Sequence, residues 1–170
     1  HHGMDKPLDG KGKYYWSDVL GYNYAWTNIQ AALALAQLRR IDELLSYKKW
    51  VFSKYSEGLK SIPNLILSPS SENVDHSYWI TTVILKEYGI NKEEFKKILD
   101  KNLIDIRPIF YPLSAMPPFK EYVKSNMNEL NPITYDLSNY GICLPNGYNL
   151  DDDDIDYICH YSKKALDINN

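Results

Sequence analysis

Tyr22, Asn23, Tyr24 and Trp26 stand immediately ahead of Thr27, and Gln30 follows that threonine by three positions. Thr27 and Gln30 are the two halves of a capping box, in which each side chain satisfies an amide beside the other at a helix start, worth about 1 kcal/mol. An amide side chain and several large rings are thereby held against the positive end of a helix, and the chemistry such a junction suits is the binding of an anion. A second group begins at Arg107, one of only three arginines in the chain. It leads the run Arg107-Pro108-Ile109-Phe110-Tyr111-Pro112-Leu113-Ser114-Ala115-Met116-Pro117-Pro118, whose four prolines remove four backbone donors and bias each preceding residue away from helix. No regular structure is expected there. Such a stiff aromatic loop is either a surface connector or the wall of a site.

The remaining reactive residue types form no self-contained engine. His76 and His160 have no obvious partners in the sequence, and the patterns GxGxxG, GxxxxGK[ST], HExxH and GxSxG are absent. Cys143 and Cys159 lack a second cysteine at metal-ligand spacing and read as reduced core residues. The acidic run at Asp151, Asp152, Asp153 and Asp154 reads as a helix start, favourable with the macrodipole, rather than a metal site; Lys163 and Lys164 complete the other end.

The elements that must position these residues follow from periodicity. A helix is expected over 27–59, apolar nearly all round in its first half (Ile29, Ala31, Ala32, Leu33, Ala34, Leu35, Ala36) and amphipathic in its second, with Leu38, Ile41, Leu45, Phe52, Tyr55 and Leu59 on one face. A helix of that length usually bridges two bodies of structure, and its first half is expected to be buried on several sides. A short apolar run at 64–67 precedes a strand over 76–86, rich in aromatic and β-branched residues. Asn91 with Glu94 starts a helix whose inner face holds Phe95, Ile98 and Leu99, and a strand over 103–106 stops at Pro108. Short helices over 119–125 and 131–139, a short strand at 143–145 and a helix capped by Asp151 complete the chain. The sum is an α/β or α+β domain with a small, mainly antiparallel sheet attached to one long linking helix.

Composition narrows the partners. The 170 residues suffice for one domain with a core, and the net charge of −3 leaves no basic excess for a nucleic-acid backbone. No run approaches 18 apolar residues and no leader pattern opens the chain, so no membrane partner is expected and a cytoplasmic location is. The polar, glycine-spaced residues 1–20 are an odd beginning for a domain and read as part of something longer; His1-His2 has the look of a tag remnant.

The strings His2-Gly3-Met4-Asp5, Tyr15-Trp16, Leu20-Gly21-Tyr22-Asn23-Tyr24, Thr27-Asn28-Ile29-Gln30-Ala31-Ala32 and Ala36-Gln37-Leu38 resemble, in order, the C-terminal half of the DegT/DnrJ/EryC1/StrS family of sugar aminotransferases. Arg107-Pro108-Ile109-Phe110-Tyr111-Pro112-Leu113 is similar to that family's R-P-F-F-x-P-L stretch. Leu144-Pro145 with Asp154-Ile155-Asp156-Tyr157-Ile158 is similar to its closing segment. The resemblance implies a fold type I enzyme dependent on pyridoxal 5'-phosphate that moves an amino group from glutamate onto a nucleotide-linked keto-deoxy sugar. It implies three parts here: a loop at 1–26 on the edge of a large domain, the linking helix at 27–60, and a small C-terminal domain at 61–170. The family's cofactor lysine lies upstream in the large domain, and none of the lysines here has its sequence context, so no catalytic residue is expected in this chain and the chain alone is expected not to transaminate.

By the same resemblance Asn23 is the G-Y-N asparagine that reaches the cofactor phosphate of the neighbouring subunit in a homodimer; the alternative is that it caps its own loop. Arg107 would fork onto a glutamate carboxylate or a sugar-nucleotide phosphate, the alternative being a surface ion pair. Tyr111, Ser114 and Tyr22 are further candidates for the sugar pocket. Ala25 stands where many members have arginine and Ser114 where many have histidine, which alters the substrate contacts of both loops. The Tyr-Pro-Leu-Ser form with Met116-Pro117 nearby resembles the perosamine-synthase-like branch, which acts on a GDP-linked keto-deoxymannose. Two other readings stay open: a non-catalytic dimerisation or ligand-binding module, and a piece of a family member that carries histidine in place of the lysine and dehydrates its sugar.

Overall fold

Three helices begin where the side-chain caps put them. The structure, a computed structural model, describes residues 15–22, 25–68 and 70–166. Helix α1 (Asn28–Leu38) starts at the capping box: the Thr27 amide donates to Gln30 Oε1 at 2.8 Å and the Gln30 amide to Thr27 Oγ1 at 3.3 Å. Helix α3 (Lys92–Asp100) starts with the Glu94 amide on Asn91 Oδ1 at 2.9 Å. Helix α6 (Asp152–Ala165) starts with a second box between Asp151 and Asp154, so the acidic run does serve as a helix start, and Lys163 and Lys164 occupy the last turn.

The expected single helix over 27–59 is two. Helix α1 ends and helix α2 (Ile41–Leu59) begins across Arg39 and Arg40. At the junction the Arg40 amide reaches back only three residues, to the Gln37 carbonyl at 3.0 Å, while the Arg40 carbonyl accepts the first amide of the next helix from Leu44 at 3.0 Å. The Arg40 guanidinium forks onto the Glu43 carboxylate at 2.9 and 2.5 Å, favouring the restart with an acidic group in the first turn. The buried face of α2 is Lys48, Val51, Tyr55 and Leu59, while Leu38 and Ile41 lie exposed. Helix α1 buries nothing in this chain; Ile29 is 76% and Leu33 65% exposed, against the expectation of burial on several sides.

The remaining helices are short: α4 (Met127–Leu130) and α5 (Pro132–Tyr140), the latter entered through its proline. Strands β1 (Ile66–Leu67), β2 (Thr82–Ile84), β3 (Arg107–Pro108) and β4 (Gly141–Cys143) form one antiparallel sheet in the order β1-β2-β4-β3. In its middle Val83 faces Ile142, and Arg107 and Pro108 pair with Cys143 and Ile142. Two expected strands are thus corrected. The one over 76–86 shrinks to three residues because Tyr78 is left-handed (φ 47°) and its amide donates to His76 Nδ1 at 2.8 Å instead of to a neighbouring strand. The one over 103–106 moves to Arg107–Pro108, because Leu103 (φ 59°) ends α3 in a Schellman-type turn, with the Ile104 amide on the Leu99 carbonyl at 3.0 Å. Pro108 is tolerated in regular structure, contrary to expectation, because β3 is an edge. The rest of the proline-rich run forms 3₁₀ turns at Leu113–Ala115 and Pro117–Tyr122.

The core lies between the sheet and α2, α3 and α6. Val51, Tyr55, Leu59, Val83, Leu85, Phe95, Leu99, Ile106, Ile142 and Ile155 are all at most 3% exposed. Cys143 and Cys159 are buried free thiols in it. No helix among the described residues is long and apolar enough to cross a membrane.

Candidate functional site

The proline-rich loop is clasped from two sides. From the edge of the sheet, the Ile109 amide donates to the Gly141 carbonyl at 2.9 Å, and the chain then turns Phe110 and Tyr111 onto the segment that precedes α1. Tyr15 meets Phe110 edge-on with centroids 4.7 Å apart, and Trp16 meets Tyr111 at 5.2 Å and 88°. Such edge contacts are each worth roughly 0.5–1.5 kcal/mol beyond area burial. On its other side Tyr111 lies under the Lys92 ammonium, 4.6 Å from the ring centroid, and Lys92 itself donates to the Ser138 carbonyl at 2.6 Å. Burial, then the nearby Glu93 carboxylate, pushes the Tyr111 hydroxyl above its usual range.

A cavity of about 300 Å³ opens beside this clasp, lined among others by Tyr15, Lys48, Trp79, Arg107, Phe110 and Asn146. Of the residues singled out from the sequence, Arg107 reaches it, and its guanidinium also donates to the Asp105 carboxylate, so ion pair and cavity wall are both realised. Tyr111 does not line it. Ser114 shares a hydrogen bond of 3.1 Å with the Tyr135 hydroxyl and does not line the cavity, and Tyr22 is 64% exposed. Asn23 lies outside the described residues. Among the described residues, Arg107 lines this cavity and Tyr111, Ser114 and Tyr22 do not.

Lys48 and Asn146 went unnoticed in the sequence. Asn146 braces the left-handed turn at Tyr78: its side-chain amide donates to the carbonyls of Tyr78 at 3.0 Å and Trp79 at 2.9 Å, while Tyr78 stacks on Phe52 at 3.9 Å. Lys48 is 8% exposed and donates to the Asn146 main-chain carbonyl, with the Tyr148 ring 4.4 Å away. Burial pushes its ammonium below the usual lysine range. The available signal was spacing, because Lys48, Val51, Tyr55 and Leu59 fall on one helical face and a lysine there must either snorkel or find a partner.

Among the described residues no cluster of three or more His, Cys, Asp or Glu could hold a metal ion. Several of the described lysines are already engaged rather than poised as a cofactor amine. Lys49, Lys54, Lys86 and Lys96 are ion-paired with Asp75, Asp152, Asp136 and Asp100, and Lys48 and Lys92 are engaged by main-chain carbonyls.

The family model of the DegT/DnrJ/EryC1/StrS aminotransferase family matches residues 1–162. GDP-perosamine synthase of Escherichia coli O157:H7 is 35% identical over 147 residues, which cover 86% of this chain and 38% of that protein. GDP-perosamine synthase of Vibrio cholerae is 33% identical over 153 residues, covering 89% and 41%. The chain thus spans about two fifths of the length of these relatives. Among solved structures, a Streptococcus pneumoniae protein provisionally assigned as a sugar aminotransferase, in its PLP form, superposes with a TM-score of 0.72 at 25% identity over 86% of this chain and 37% of the other.

Proposed function

The chain belongs to the DegT/DnrJ/EryC1/StrS aminotransferase family, with the fold of the C-terminal part of a fold type I pyridoxal-phosphate enzyme, and from that premise we propose that it is the supporting portion of an aminotransferase that passes an amino group from glutamate to a nucleotide-linked keto-deoxy sugar. The observation that carries the reading is the convergence of two family motifs far apart in sequence: the segment that runs into the G-Y-N loop packs through Tyr15 and Trp16 against Phe110 and Tyr111 of the R-P-I-F-Y-P-L loop. The likeness to two GDP-perosamine synthases supports a GDP-linked sugar as acceptor.

In this reading the cofactor lysine is supplied by the large domain rather than by the residues here, and the polypeptide alone does not transaminate. Residues 1–26 sit at the edge of the large domain, α1 and α2 link the two bodies, and residues 61–170 form the small domain. Bound pyridoxal phosphate supplies the electron sink for amino transfer. This chain's residues bind and orient: Asn23 donates to the cofactor phosphate across a homodimer, and Arg107, Tyr111, Ser114 and Tyr22 contribute to the substrate side. Lys92 and Trp16 hold the Tyr111 ring between them.

The test is to express the whole reading frame containing this chain and incubate the protein with pyridoxal phosphate, glutamate and a GDP-linked keto-deoxymannose. Formation of 2-oxoglutarate together with an amino sugar, read by mass spectrometry, is the expected result. A deoxygenated sugar without an amine would assign the dehydratase activity instead. A protein that binds no cofactor would be the non-catalytic module.

A further inference from the structure

The cavity beside the clasp carries an uncompensated charge. Lys48 is buried, no carboxylate reaches its ammonium among the described residues, and its hydrogen-bond partner is a main-chain carbonyl, that of Asn146. An ammonium partly shielded from water without a counter-ion is unfavourable, and among the described residues the carbonyl dipole and the Tyr148 ring are what offset this. The other cation of the cavity, Arg107, is paired with Asp105, which also lines the wall and is shared with Lys96 at 3.7 Å. The positive excess of this cavity is therefore that of Lys48. Its walls are otherwise largely aromatic and apolar, with Tyr15, Trp79, Phe110 and Leu144, which strengthens any charge interaction inside.

We propose that this cavity is an oxyanion site in which Lys48 Nζ is the anchoring donor and Arg107 the second. An ammonium has three N–H donors and the Asn146 carbonyl takes one, so an anion binds without displacing the contact that braces the 145–150 loop. The carboxylate or phosphate oxygen supplies the counter-charge that the buried lysine lacks. The site rests on the geometry of the cavity; only the source of its anion, the carboxylate of an amino donor or the phosphate of a nucleotide, rests on the aminotransferase reading.

Calorimetric titration of the 170-residue chain at low ionic strength, without cofactor, uses glutamate in one arm and inorganic phosphate in the other. One of the two is expected to bind, and Lys48→Met to weaken it by at least about tenfold, the loss of one charge-assisted hydrogen bond, while Lys48→Arg retains it. Preference for glutamate identifies the donor carboxylate, and preference for phosphate the nucleotide. Binding of neither probe, or equal binding by wild type and Lys48→Met, overturns the proposal. Should Lys48→Met fail to fold, the wild-type chain with isotope-labelled lysine gives the same decision: the Lys48 titration moves to higher pH at saturating probe, and an unmoved titration overturns the site. Because no turnover is measured, failure here leaves the amino-transfer reading intact, and failure of amino transfer in the complete enzyme leaves this site intact.

Discussion

Gly58 of α2 lies against Cys159 of α6 so closely that a β-carbon at position 58 would stand 2.6 Å from the cysteine sulfur. The two helices meet through this glycine. Gly58→Ala gains about 1 kcal/mol of helix propensity but forces an overpacked contact in a core where such insertions cost roughly 1–3 kcal/mol. We expect a net loss of up to about 2 kcal/mol by urea unfolding, the difference of those two terms. Adding Cys159→Ala to Gly58→Ala removes the clash, so the double variant should exceed the sum of the singles in stability. A raised unfolding midpoint for Gly58→Ala alone would refute the close approach.

The two thiols make the fold alkali-sensitive. Burial pushes Cys143 from 9.0 to about 11 and, as the leading cause, Cys159 from 9.0 to about 12. Each folded-state value lies above the unfolded one, so the stabilisation is complete below pH 9 and is lost as pH rises towards about 11 for Cys143 and about 12 for Cys159. In that window each thiol contributes a slope of about −1.4 kcal/mol per pH unit. A Cys143→Ala/Cys159→Ala variant should show a flatter decline above pH 9, measured by urea unfolding at a series of pH values. An unchanged slope would exclude the thiols as the cause.

Trp26, just ahead of helix α1, and Ile29, Leu33 and Leu38 on it are each at least 62% exposed, large apolar side chains whose burial favours association. The chain is expected to self-associate in a concentration-dependent way. Leu33→Lys should shift light scattering towards the monomer, whereas a wild-type chain that stays monomeric at high concentration speaks against it.

Mixing the chain with pyridoxal phosphate should give no visible absorbance band that resists dialysis. A durable adduct needs a lysine held in a cofactor cradle, and the buried amines Lys48 and Lys92 are already committed to main-chain carbonyls. A dialysis-resistant band that disappears on borohydride treatment would be the contrary result.

For Asn23 the measurement belongs to the complete enzyme. Loss of one hydrogen bond to a charged phosphate in Asn23→Ala costs roughly 1.5–3 kcal/mol, one to two decades in cofactor affinity. Turnover should recover largely as pyridoxal phosphate is added. Affinity within about twofold of wild type, with the dimer intact, would return Asn23 to the role of a loop cap.

What the sequence determined by itself is whatever depends on neighbours within one helical turn. Thr27 with Gln30, Asn91 with Glu94 and Asp151 with Asp154 placed three helix starts, because a cap is a contact between residues three apart. The family motifs were legible for a similar reason, being short contiguous strings. Only the tertiary structure decided where strands end, because the Tyr78 amide is taken by His76 and the Tyr78 and Trp79 carbonyls by Asn146, a residue distant in sequence. Pro108 joins the sheet because folding leaves it on an edge, which no local pattern states. The exposure of α1 depends likewise on what covers it. Lys48 is the sharpest case: its spacing with Val51, Tyr55 and Leu59 put it on the buried face, but that an aromatic cavity with Arg107 lies there, and no carboxylate among the described residues, follows from chain segments that meet only on folding.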